Sequence, residues 1–149
     1  MLPFNQNNDM AASRFIKVNG NVATLQEGSM SIIEVEICPE KFVDGCDFSN
    51  AAKLESWVSD MPNLTDGTAM FKNCSKLTTF IGDLSSLETA DEMFYGCTLD
   101  AESLEILADT LPTVTSGTID IGASTNATAE VIATIKGKHW TLKSNGTAL

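Results

Sequence analysis

Any imidazole chemistry in this chain would have to run through His139, the single histidine, because general acid–base work at neutral pH draws on that side chain first. His139 lies between Lys138 and Trp140, and no G-x-S-x-G or comparable serine or cysteine motif accompanies it. A surface histidine beside a packed tryptophan is the expectation. The four cysteines, Cys38, Cys46, Cys74 and Cys97, contain no CxxC pair, which removes the usual zinc and redox spacings. They read as buried free thiols, and assembly in a reducing cytosol disfavours a Cys74–Cys97 disulfide. The acidic pairs Asp91/Glu92 and Glu34/Glu36 are what an acidic chain supplies by accident, and they read as solvated faces. Neither a calcium-loop run of the form D-x-[DN]-x-[DN]-G nor a glycine-rich phosphate cradle is present. The chain is therefore expected to be no enzyme, and to hold no cofactor and no metal.

Charge narrows the partners. A formal net charge of -11 and a pI near 4.3 disfavour nucleic acid, whose binding draws most of its affinity from Lys and Arg. Anionic membrane is disfavoured for the same reason, and no stretch approaches the apolar length of a membrane span. The first residues show no basic n-region followed by an apolar run, so a cleaved secretion signal is not expected. Without a secretory route, the acceptor patterns at Asn63, Asn126 and Asn145 carry no glycosylation argument. With 149 residues and 43% hydrophobic content, the chain fits one domain with a real core.

The elements come from a repeat. Sliding the sequence against itself by about 23 residues puts Lys53-Leu54 on Lys76-Leu77, Trp57 on Phe80, Leu64 on Leu87, and Met70-Phe71-x-x-Cys74 on Met93-Phe94-x-x-Cys97. The coincidences fall on bulky apolar positions separated by polar ones. Each unit then has a face it cannot bury alone, and stacking its neighbours completes a continuous interior, which is a solenoid. Within a unit, the β-branched run 77–81 before Gly82-Asp83 reads as a strand. The segment 89–94, with carboxylates ahead of bulky residues and then Gly96, reads as one or two helical turns. The proposed repeat core is Leu54, Trp57, Leu64, Met70, Phe71, Cys74, Leu77, Phe80, Leu87, Met93, Phe94 and Cys97.

The pattern Met-Phe-x-x-Cys-x-x-Leu-x-x-Phe at Met70, Phe71, Cys74, Leu77 and Phe80 resembles the BspA-type leucine-rich repeat of bacterial surface proteins and of proteins of phages that infect gut bacteria. The resemblance covers roughly residues 40–100, and the longer units after Leu99 look like terminal repeats of the same group. It implies an α/β repeat fold, a short leucine-rich-type solenoid with a strand and a short helix per rung. Ala51 stands where a further cysteine is expected, so the first rung reads as irregular, a cap.

Beyond the repeats, Asp100 is placed to cap a helix through Leu104, Leu107, Ala108 and Leu111 that stops before Pro112. A strand at 117–122, a helix opening near Thr125 or Asn126 and ending at Gly137, and a strand at 140–142 form a second such pair. Toward the N-terminus, Asn19-Gly20 between the apolar runs 14–18 and 22–25 signals a hairpin, with a third strand at 30–37. The organisation expected is an arm at 1–12, a β-hairpin/sheet cap at 13–38 and a solenoid at 39–149. The arm is polar, with Leu2, Phe4 and Met10 as apolar anchor points, and is expected to dock on another protein or a second copy of the chain.

These readings converge on a non-enzymatic virion protein, a phage head or tail fibre or decoration protein assembled in the host cytoplasm. Its expected partners are other capsid or tail proteins, further copies of itself in a dimer or trimer, and a host surface glycan or protein. The alternative is a fragment of a bacterial cell-surface adhesin. A glycan hydrolase is the remaining class, and it would need two carboxylates roughly 5 to 9.5 Å apart across a cleft, which a flat or convex rung face does not offer.

Overall fold

A computed structural model describes residues 48–58 and 60–149 in full, together with the backbone of three earlier strands. Those strands are β1 (Ile16–Asn19), β2 (Val22–Leu25) and β3 (Glu34–Val35). The arm with Leu2, Phe4 and Met10, and the thiols Cys38 and Cys46, lie outside the described residues. β1 and β2 pair antiparallel with Asn19 opposite Val22.

β3 departs from the three-stranded cap expected of it. It pairs in parallel with β4 (Ser56–Val58), Val35 opposite Trp57, and β4 pairs in parallel with β5 (Thr79–Ile81), Trp57 opposite Phe80. Its place is set by a strand one unit further along the chain rather than by the adjacent hairpin.

Outside β4 and β5 the backbone makes a regular lateral ladder between successive units. The N–H groups of Gly67, Ala69, Phe71 and Asn73 donate to the carbonyls of Thr89, Asp91, Met93 and Tyr95 at 2.7 to 3.0 Å. Phe48 and Asn50 donate likewise to Met70 and Lys72 at 2.9 and 2.8 Å. The helical turns expected over 89–94 are instead hydrogen-bonded turns at 91–96, matched by turns at 68–73 one unit earlier. Alternate amides go to the neighbouring unit, while those between them, Met70, Lys72, Met93 and Tyr95, donate three residues back at 3.0 to 3.2 Å, so no i→i−4 helix forms. Left-handed residues fix the corners: Asn50, Asn73 and Gly96 have φ of 65, 64 and 85°, and Ala69 and Glu92 have 57 and 60°.

The interior follows the same offset. Phe48, Phe71 and Phe94 are all fully buried, with centroids 5.8 and 5.7 Å apart along the column. Trp57 and Phe80 insert between them edge-on, Trp57 at 4.8 Å from Phe71 and Phe80 at 4.9 Å from Phe94. Ala51, Cys74 and Cys97 make a second column, buried to 1% or less. Cys74 Sγ lies 3.2 Å from the carbonyl oxygen of Phe48, and Cys97 Sγ lies 3.2 Å from that of Phe71. Ala51 thus occupies the cysteine depth, and the register that the sequence broke there continues through it. Only a small side chain is needed at that depth, so Ala and Cys are interchangeable in volume terms.

At β5 the unit changes. Asp100 N–H donates to Thr78 O at 2.8 Å, and helix α1 (Ala101–Thr110) then runs where another strand would lie. Asp100 caps it by accepting the Ser103 N–H at 2.8 Å. The buried Ser103 hydroxyl oxygen accepts the Phe80 N–H at 2.9 Å, so the open edge of β5 meets a side chain rather than water. Leu104, Leu107 and Ala108 face the core. Strand β6 (Gly117–Asp120) continues the lateral ladder, with Ala90 N–H on Thr118 O and Phe94 N–H on Asp120 O at 2.8 and 3.1 Å.

Helix α2 (Ala129–Gly137) is capped by Thr128, whose hydroxyl accepts the Val131 N–H at 3.1 Å. Neither Thr125 nor Asn126 caps it. The Asn126 amide instead donates to Leu99 O at 2.9 Å. β7 (Trp140–Ser144) pairs in parallel with β6, and β8 (Thr147–Ala148) folds back antiparallel on β7.

Candidate functional site

All twelve residues named as repeat core are buried to 1% exposure or less. They form one apolar interior and present no chemistry. Cys74 and Cys97 are free thiols. Burial pushes the Cys97 thiol far above its ordinary value, with the nearby charges of Cys74 and Asp120 acting in the same direction, so neither nucleophilic nor metal-ligand chemistry is favoured there. His139 is exposed and places Nδ1 2.9 Å from Val114 O. Among the described residues, no group of three His, Cys, Asp or Glu side chains could hold a metal ion. No helix among the same residues is long and apolar enough to cross a membrane.

The acidic pair Asp91/Glu92 is partly paired rather than simply solvated. Lys72 Nζ lies 3.0 Å from Glu92 and Lys143 Nζ 3.1 Å from Asp91. Both acids are about 42% exposed at the side chain, so each pair contributes at most about 1 kcal/mol.

One concavity stands out on this surface. It is an open groove of about 640 Å³ between the turn 84–88, which precedes the second corner, and the loop 112–116, which links α1 to β6. Hydroxyls dominate its lining: Thr65, Ser85, Ser86, Thr113, Thr115 and Ser116, joined by the Glu88 carboxylate. Leu87, Pro112 and Val114 add apolar surface, and no lysine or arginine contributes.

Both walls are fixed through their backbones. On one side Asp83 Oδ1 accepts the Ser85 N–H at 2.8 Å, and Glu88 N–H donates to Thr65 O at 2.8 Å. On the other, Val114 N–H donates to Lys138 O at 3.0 Å, and the Trp140 indole N–H donates to Pro112 O at 2.9 Å. Lys138 Nζ closes the end of α1 by donating to the carbonyls of Ala108, Asp109 and Leu111 at 2.7 to 2.9 Å, which satisfies acceptors that a helix end leaves open. Gly117 is required at the base of the groove, because a Cβ there would sit 2.7 Å from both Glu88 O and the Trp140 ring.

Nothing in the repeat pattern pointed to this groove. Its hydroxyls come from a turn and a loop distant in sequence, and serine and threonine in such segments read as ordinary turn residues. The buried Asp120 was missed as well. Its carboxylate accepts the N–H groups of Gly122, Asn145 and Gly146 at 2.8, 3.0 and 2.6 Å, which ties the β7–β8 turn to the body. The motif Asn145-Gly146 is a turn signal, but its docking on an acid of the preceding strand has no local signature.

The groove can hold a ligand by hydrogen bonds from rotatable hydroxyls and the Glu88 carboxylate. Comparison of the sequence with protein-family models, with curated proteins and with solved structures finds no match, so the likeness to BspA-type repeats rests on the motif residues Met70 to Phe80 themselves.

Proposed function

We propose that this chain is a non-enzymatic structural protein of a virion, a phage head or tail fibre or decoration protein, which presents a short leucine-rich-type solenoid as an attachment surface. The observation that supports this reading is the lateral ladder, in which amides from Phe48 to Asn73 donate to the next unit at a constant offset around one aromatic column. A spine of this kind is quasi-one-dimensional, each unit contacting its neighbours, and its outer turns are free to vary into a binding face. The motif of Met70, Phe71, Cys74, Leu77 and Phe80 supplies the link to phage proteins.

The partners in this reading are other capsid or tail proteins and further copies of the chain, as a dimer or trimer. Among the described residues only Val58 and Leu149 are large apolar side chains in the exposed class, at 36 and 38%.

Quantitative mass spectrometry of purified particles from cells carrying the gene tests the proposal. The chain is expected in the particles at a fixed ratio to the major capsid protein. Its recovery in the bacterial envelope fraction, with none in particles, would overturn the virion reading and favour the adhesin.

A further inference from the structure

We infer that the groove between residues 84–88 and 112–116 is a binding site for a neutral saccharide. This deepens the attachment reading above by naming the class of ligand, and rests on it for its biological setting.

The first argument is the donor set. The hydroxyls of Ser85, Ser86, Thr113, Thr115 and Ser116 and the carboxylate of Glu88 enter no hydrogen bond or ion pair among the described residues. A hydroxyl both donates and accepts, and a carboxylate accepts from two donors at once. The complement of such a set is a ligand that itself carries many hydroxyls. The second argument is charge. With Glu88 the only ionised group in the lining, the groove repels phosphorylated, sulfated and acidic sugars and lacks the Lys or Arg fork that would hold them.

Shape and rigidity exclude other classes. A peptide strand would need an unbroken run of free backbone groups along a wall, and the engaged Ser85, Glu88 and Val114 amides and Pro112 and Val114 carbonyls interrupt it. An apolar ligand would find only Pro112 and Val114 offering partial exposure, since Leu87 is 1% exposed. Those two side chains suit the C–H face of a sugar ring. A volume of about 640 Å³ falls within the range of roughly 300 to 1,000 Å³ typical of small-ligand sites. The walls are held in place before any ligand arrives, so little ordering cost is added on binding. A single open site of this kind binds weakly, on the order of millimolar, and many copies on one particle would raise the effective affinity.

The test uses the full chain, fluorescently labelled, on a glycan array with neutral and anionic members, followed by NMR titration of the isotope-labelled chain with the best neutral oligosaccharide. Retention on neutral glycans is expected, with shifts confined to residues 85–88 and 112–116. Thr115→Trp, at an exposed position, fills the groove and should reduce binding at least about tenfold while leaving the dispersed amide spectrum intact. Glu88→Gln should weaken neutral binding and gain no anionic glycan, because no lysine or arginine lines the groove to hold one. Retention on no neutral glycan, retention on anionic glycans only, or binding untouched by Thr115→Trp would each overturn the assignment. Particle proteomics fails or succeeds independently, so loss of the saccharide site would leave the virion reading standing, and the reverse holds too.

Discussion

The Phe71 and Phe94 rings lie parallel, tilted by 2°, with centroids 5.7 Å apart. They are equivalent positions of adjacent units, and Phe71 also pairs with Phe48, Trp57 and Phe80. Phe71→Ala and Phe94→Ala should each cost about 3 to 5 kcal/mol, through lost transfer energy and the cavity left behind. Phe71, with the larger set of ring partners, belongs at the upper end. Urea denaturation measures both values, and unchanged midpoints in both variants would reject the shared aromatic column.

Corner geometry makes a prediction of opposite signs. Gly96 has φ of 85°, and a Cβ there would lie 2.8 Å from Asn73 Oδ1 and 3.1 Å from Asn73 Cα, so Gly96→Ala should destabilise by at least about 1 kcal/mol. Ala69, at φ of 57°, already bears the left-handed penalty of about 1 to 2 kcal/mol. Ala69→Gly relieves that penalty and incurs about 0.5 to 1 kcal/mol of added chain entropy. The net should be neutral or slightly stabilising in a thermal melt.

Asp120 is fully buried and its two oxygens accept three backbone amides. Asp120→Asn would turn an amide donor toward one or more of those N–H groups. A cost of about 2 to 3 kcal/mol is expected, the penalty of leaving buried donors unsatisfied. Hydrogen exchange should speed up first at Asn145 and Gly146, whose amides lose their acceptor. Protection unchanged at those two amides would show that the carboxylate does not hold the hairpin turn.

How much of this was legible beforehand depends on the kind of signal. The offset that aligns Met70, Phe71 and Cys74 with Met93, Phe94 and Cys97 is a pattern of bulky side chains, and such patterns report burial directly. Asp100 as a helix cap and Asn19-Gly20 as a hairpin turn are local signals read from adjacent residues. What the sequence could not supply was the destination of the backbone amides. Residues 89–94 carry a helix-like order of acids and apolar residues, but Glu92 adopts a left-handed φ that its type does not announce, and the amides bond laterally. The start of α2 was placed near Thr125 or Asn126, and the chain caps it at Thr128 instead. The groove is least legible, being assembled from two segments that only the tertiary fold brings together.

Burial of Cys97 predicts a pH effect. The folded chain holds its thiol proton well above the ordinary value of 9.0, whereas the unfolded chain releases it near that value. Stability from this group is therefore fully present below about pH 9 and declines as pH rises through 9 toward the folded value, by up to about 1.4 kcal/mol per pH unit. Denaturation midpoints of the wild type should fall more steeply above pH 9 than those of Cys97→Ala. At neutral pH, peptide-level mass spectrometry after brief alkylation should find Cys74 and Cys97 unmodified until the chain is unfolded.

The lateral ladder carries the whole account, and through-hydrogen-bond scalar coupling measures it without substitution. The amide nitrogens of Gly67, Phe71 and Asn73 should couple to the carbonyl carbons of Thr89, Met93 and Tyr95, as their bonds of 2.9, 3.0 and 2.7 Å require. Coupling of the Phe71 nitrogen to the Gly67 carbonyl instead, as in a helical turn, would contradict it.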